Sequence, residues 1–209
     1  MAELLDIYDE NGNHIGIEDR NIVHQNGLWH KTIHCWIVTD KKQILFQKRS
    51  ASLLDNPNKL YTTASGHVKA GENLHDAFDR EVSEELGISA PKAQKLFEQI
   101  YKTDFVKKNG TPYHDRVFCN VFFAISNLPL EQYHPQEEEL DGIAQVGIED
   151  ALRLFKKEVN EINSTLYEKE NGKYIIVNKT LTLDDFLCNP TETHYSKYGK
   201  ILEEILKHL

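Results

Sequence analysis

The chain has 209 residues, of which 40% are hydrophobic and 27% charged, and its formal net charge is −9. Those proportions belong to a globular protein with one good-sized core, and they exclude disordered, fibrous and disulfide-scaffold classes. The acidic balance argues against binding of a nucleic acid polymer, which draws on clustered Lys and Arg, and no apolar stretch approaches the roughly 18 residues of a membrane span. The start MAELLDIYDENG is acidic and lacks a basic or apolar leader, so a cytoplasmic address is expected. Cys35, Cys119 and Cys188 are widely spaced and form no CxxC pair, which points to plain thiols.

Leu4–Tyr8 reads as a strand, Asp9–Asn13 as a hairpin turn with the favoured Asn-Gly pair, and His14–Ile17 as the returning strand. Asp19–Gln25 reads as a helical turn stopped near Asn26-Gly27. Lys31–Thr39 is β-rich, and Gln43–Lys48 alternates well enough to be its hairpin partner across Asp40-Lys41-Lys42. Leu53–Leu60 is a loop, Tyr61–Val68 a strand, and Asn73–Leu86 the clearest helix. Ala93–Thr103 and Tyr113–Ile125 make a long hairpin joined across Lys107-Lys108-Asn109-Gly110.

Glu149–Glu158 has helical periodicity, Ser164–Lys169 and Tyr174–Asn178 suggest a small extra hairpin, and His194–Leu209 is an amphipathic closing helix. Either of the last two features serves as a homodimer contact or as a cover for the core. Without regular βα alternation the expected class is α+β. One domain over 1–209 is expected, with an N-terminal hairpin and turn at 1–30, a core at 31–158 and a C-terminal extension at 159–209.

The chemistry is concentrated in GHVKAGENLHDAFDREVSEELGI, Gly66 to Ile88, which holds six acidic residues. An acidic run is usually a solvated helix face. Here a helical wheel places Leu74, Phe78, Val82 and Leu86 on one apolar stripe and puts Glu81 and Glu85 at its edge, while Asp76, Asp79 and Ser83 take the opposite side. Carboxylates beside a core stripe cost several kcal/mol unless paired or metal-bound. Hard oxygen donors without a matching Cys/His set suit Mg²⁺ or Mn²⁺, and i,i+3 and i,i+4 spacing puts Glu81, Glu84 and Glu85 on one side of one helix. Gly66 allows close approach to the backbone, Asn73 is a candidate N-cap, and Gly87 a C′ glycine.

Gly66, Glu72, Arg80, Glu81, Val82, Glu84, Glu85, Gly87 and Ile88 fill, without a gap, the pattern of the Nudix box, and the segment resembles it throughout. The resemblance implies a Nudix-type α/β/α sandwich with a mixed sheet, here with a C-terminal helical extension. It also implies a metal-dependent, MutT-like hydrolase acting on a diphosphate linkage in a nucleoside diphosphate derivative or similar phosphorylated small molecule. By the same resemblance Glu81, Glu84 and Glu85 are the metal ligands, with the Gly66 carbonyl joining them, and Arg80 orients the glutamates through Glu72. Arg49 resembles the basic residue that meets substrate phosphate in many relatives. Glu138 or Glu139, in the run Glu137–Glu139, is the place for a second acidic contributor.

The N-terminal half also resembles the branch that includes isopentenyl diphosphate isomerase, through DENGNHIG, His24, His30, the Trp36 strand and His67 after Gly66. In the isomerases equivalent histidines join two glutamates in a metal site, and a cysteine precedes the Gly-His pair. Here that position is Ser65, far too weak an acid for the proton exchange, and His114-Asp115-Arg116-Val117 stands near the place of the glutamates. His67 is thus also a candidate substrate or second-metal residue. An isomerase-like enzyme and a non-catalytic Nudix ligand sensor are the alternatives to the hydrolase.

Overall fold

In the computed structural model, which describes residues 3–106, 110–188 and 192–209, the N-terminal hairpin forms as expected from β1 (Leu4–Tyr8) and β2 (His14–Asp19). Asp19 then caps α1 (Arg20–Asn26) by accepting from Asn21 N, and Gly27 ends it in the left-handed region at φ 63°. The central strands are β3 (Trp29–Val38) and β4 (Gln43–Arg49). They meet in register only at Val38 and Ile44 and then diverge, so the expected hairpin exists only at its turn.

The chain that follows explains the divergence. The single strand expected over Tyr61–Val68 is broken into β5 (Leu60–Tyr61), which pairs with β4, and β6 (Ala64–His67), which pairs with β3. The two residues between them cross the gap. Thr62 Oγ1 donates to Cys35 O at 3.1 Å, while Thr63 Oγ1 accepts from Ile37 N at 3.0 Å and donates to Leu45 O. Both threonines are buried, so these bonds satisfy backbone groups that the splayed strands would otherwise leave unpaired.

On the β3 side, β8 (Pro112–Ile125) runs parallel to β3 and carries β7 (Ala93–Val106) antiparallel on its other edge. The turn expected at Lys107–Asn109 lies outside the described residues. On the β4 side sits β9 (Leu140–Gly147), followed by β10 (Ile162–Glu170) and β11 (Lys173–Leu181). The sequence does not mark β9 as a strand, because Gly142, Gly147 and Asp141 dilute its apolar pattern. Since β9 pairs with β10, the C-terminal hairpin continues the main sheet. With one parallel pair among antiparallel ones the sheet is mixed, and the class is α+β.

Helices cover both faces of the sheet. On one face α2 (Leu74–Leu86) packs Ala77, Phe78, Val82 and Leu86 against Ile33, Cys35 and Phe122. On the other, α3 (Ile148–Phe155) and α4 (Lys200–Leu206) pack with Trp36, Phe46 and Phe186. The expected last helix begins as a π-helical turn, Tyr195–Gly199, and passes directly into α4. Its Tyr198, Ile201, Leu202 and Ile205 are almost fully buried, so this helix covers the core. No helix among the described residues is long and apolar enough to cross a membrane.

Candidate active site

The acidic cluster is built where β6 passes over α2. Asn73 caps α2, its side chain accepting from His75 N and Asp76 N at 3.0 Å, and Gly87 closes it with φ 63°. The cap fixes the helix rotation, and Glu81 and Glu85 then lie on the buried side with 8% and 5% exposure, while Glu84 is exposed. Gly66 is what admits them: a Cβ there would collide with the Glu81 carboxylate. Glu85 accepts from Ser65 N at 3.1 Å, so both buried carboxylates abut the β6 backbone.

Arg80 gathers the rest. Its Nε and one terminal nitrogen meet the two oxygens of Glu72 at 2.8 and 2.9 Å, a bidentate pair. The same nitrogen donates to His67 O at 2.8 Å, and the other reaches Glu81 at 2.5 Å and Glu84 at 3.2 Å. Burial works against the Glu72 anion, yet the Arg80 pair and the Lys69 N–H hold its carboxyl below the usual range. Burial acts oppositely on the helix carboxyls. It pushes Glu81 up to about 7, against the pull of Arg80, and raises Glu85 well above its ordinary value, with Glu81 and Glu139 adding repulsion.

Two buried carboxyls that resist ionisation, of which only Glu81 is paired with Arg80, form a site short of positive charge. The donors facing it are all oxygen, the set that a hard divalent cation takes. Glu81, Glu84 and Glu85 could therefore hold Mg²⁺ or Mn²⁺, with the Gly66 backbone alongside. Glu139 lines the same cleft and repels both buried carboxylates, whereas Glu138 lies outside the lining residues. Arg49 also lies outside them: its guanidinium donates to Asp55 O at 2.9 Å and Asn56 O at 3.2 Å, although its charge still opposes the rise at Glu85.

The cleft has a volume of about 900 Å³ and extends past the glutamates in two directions. One leads to His67, behind which lie buried His24 and His30, the ligand-type atoms of the three being within 4.8 Å of one another. His24 Nε2 is 3.0 Å from His67 Nε2, and His24 Nδ1 is 3.0 Å from Asp115 Oδ1. His30 Nε2 is buried without a hydrogen-bond partner among the described residues. Burial drops His30 to about 4 and His67 well below its usual value, so both stay neutral with a lone pair to offer. Such nitrogen donors could hold a second divalent ion. The other direction leads to His34, Tyr61, Tyr101, Glu192 and Lys197. Nothing in the local sequence marked these five; strand crossing and chain closure assemble them.

The model of the NUDIX domain matches residues 28–168, from just before β3 into β10. The chain belongs to the Nudix family. It is 33% identical, over 98% of its own length and 97% of the other's, to an uncharacterised Nudix hydrolase of Clostridium acetobutylicum. It is also 30% identical to an isopentenyl-diphosphate Delta-isomerase of Photorhabdus laumondii, over 58% of this chain and 68% of that one. Among solved structures, a Deinococcus radiodurans protein aligns with a TM-score of 0.55 at 22% identity, covering 74% of this chain and 90% of that one, a likeness of fold. The Nudix chain thus keeps the box complete, with Ser65 directly before the Gly66-His67 pair.

Proposed function

We propose that this Nudix protein is a divalent-metal-dependent hydrolase that cleaves a diphosphate linkage in a phosphorylated small molecule. The observation that carries the reading is the pair of buried, charge-starved carboxyls, Glu81 and Glu85, held against the glycine backbone beside exposed Glu84. A divalent ion bound by the three glutamates would neutralise phosphate charge and polarise the phosphoryl group. Arg80, paired with Glu72, holds Glu81 and Glu84 in place. Lys69, which lines the cleft, supplies an ammonium for non-bridging phosphate oxygens. In the reaction, water oxygen forms a new bond to phosphorus and the bridging oxygen departs with its electron pair. Glu139, on the same cleft, is placed to accept the proton that the water gives up.

The isomerase alternative founders on Ser65, whose hydroxyl cannot exchange a proton as a thiol does. The test is a panel of nucleoside di- and triphosphates, nucleotide sugars and isoprenoid diphosphates with Mg²⁺, following phosphate and monophosphate release, with an EDTA control. Hydrolysis that EDTA abolishes supports the reading. Tight binding without turnover of any member would make the protein a sensor instead.

A further inference from the structure

The long strand β7 lies at an edge of the sheet. It pairs along one side with β8, and its other side takes no backbone hydrogen bond among the described residues. An open edge of this length, 14 residues, is a template for another strand, and proteins usually guard such edges with charges or bulges. Here the bulge lies near one end, between Lys95 and Phe97, and leaves the stretch from Phe97 onward regular. Tyr101 and Thr103 of that stretch line the cleft. Glu98, Ile100 and Lys102 alternate with them on the opposite face. All three are exposed, Ile100 at 59%.

These three residues complement themselves under two-fold symmetry. An antiparallel copy related by an axis through Ile100 sets Ile100 opposite Ile100, Glu98 opposite the copy's Lys102, and Lys102 opposite the copy's Glu98. Lys102 alone would deter a pairing strand; with Glu98 facing it, the charge that guards the edge becomes part of the match. A register shifted toward the hairpin end would bring Lys102 to the copy's Asp104, but His114 and Arg116 already hold Asp104 at 2.7 and 2.8 Å. The other two ends of the sheet lack the pattern. An antiparallel copy centred on exposed Ile176 of β11 would set Lys173 against Lys179, and β2 has only six residues, with Gly16 near its middle. We infer that the outer edge of β7 is the contact for a second copy of this chain, joined antiparallel about Ile100 into one sheet that runs through both molecules. The interface would then pin a wall of each cleft through Tyr101 and Thr103.

The test is sedimentation velocity of the full chain over a dilution series, at low ionic strength so that the charge pairs are least screened. Strand pairing alone makes a small interface, so the wild type should pass from monomer to dimer with a Kd of roughly 1–100 μM. Glu98→Lys and Lys102→Glu each bring like charges together twice, once on either side of the axis. Each should raise the Kd at least about 10-fold. Both positions are exposed, and circular dichroism checks that the variants fold. Mixed in equal amounts, the two variants regain both opposite-charge pairs in a heterodimer, so the mixture should associate about as tightly as the wild type. The double variant Glu98→Lys with Lys102→Glu should do the same by itself. A merely structural defect would not be repaired by mixing. A wild type that stays monomeric throughout, a dimer that withstands one or both reversals, or a mixture no tighter than its components overturns the inference.

Discussion

Gly66 and Glu81 show how one missing side chain sets a site. The glycine lies on β6, and a Cβ there would occupy the space of the Glu81 carboxylate. Gly66→Ala should therefore expel or twist Glu81 at a cost of about 1–3 kcal/mol, typical of overpacking, with loss of divalent-ion affinity measurable by calorimetry. A folded alanine variant that binds the ion as well as the wild type would contradict the placement. His34 gives a prediction with a sign in pH. Burial, reinforced by Lys197, lowers it from its ordinary 6.5 to about 3, so the unfolded chain takes up a proton on this ring that the folded chain refuses. Its contribution is complete above pH 6.5 and is lost as pH falls toward 3. In urea titrations the wild type should lose stability relative to His34→Gln across that window, and a pH-independent difference would contradict it.

At the scale of elements, the box helix could be read from sequence because cap, apolar stripe, carboxylates and stop glycine all fall within one continuous segment whose spacing is set by the helix itself. Elements that depend on distant partners were harder to read. The break between β5 and β6 arises because Thr62 and Thr63 bond to backbone groups on two diverging strands, which β-propensity does not register. The strand β9 forms with two glycines because it lies between β4 and β10, and a Cβ at Gly142 would strike the β10 backbone. The site was legible to the same extent: Glu81, Glu84, Glu85, Arg80 and Glu72 come together from one stretch, whereas Glu192 and Lys197 reach the cleft only through the C-terminal closure. Arg49, chosen for its strand-end position, is engaged by the carbonyls of Asp55 and Asn56. The closure is itself a packing element. Leu202 is fully buried with Trp36 and Phe46 in the same core, so Leu202→Ala should cost about 2–5 kcal/mol in chemical denaturation. A change under about 0.5 kcal/mol, the level of an exposed position, would show that α4 does not close the core.

Over the whole molecule, the sheet places two differently armed faces around one cleft. The α2 face brings oxygen donors and repelling charge, and the face closed by α4 brings the Lys197–Glu192 and Tyr61–His34 pairs. The three histidines beside Asp115 add nitrogen donors at a third edge. On the hydrolase reading proposed above, the phosphate chemistry, shared by every diphosphate, falls to the box, and discrimination to the strands and C-terminal turn around it.

On the proposed function, Glu81, Glu84 and Glu85 hold the divalent ion on which hydrolysis depends. The most direct test is the rate of diphosphate cleavage as Mg²⁺ is titrated into the wild type and Glu85→Gln, with the best substrate of the panel. Neutralising a buried ligand should cost more than the roughly 10- to 100-fold typical of groups that only orient one, and added Mg²⁺ should not restore the rate. A Glu85→Gln protein that turns over at the wild-type rate with the same Mg²⁺ dependence would place the chemistry elsewhere.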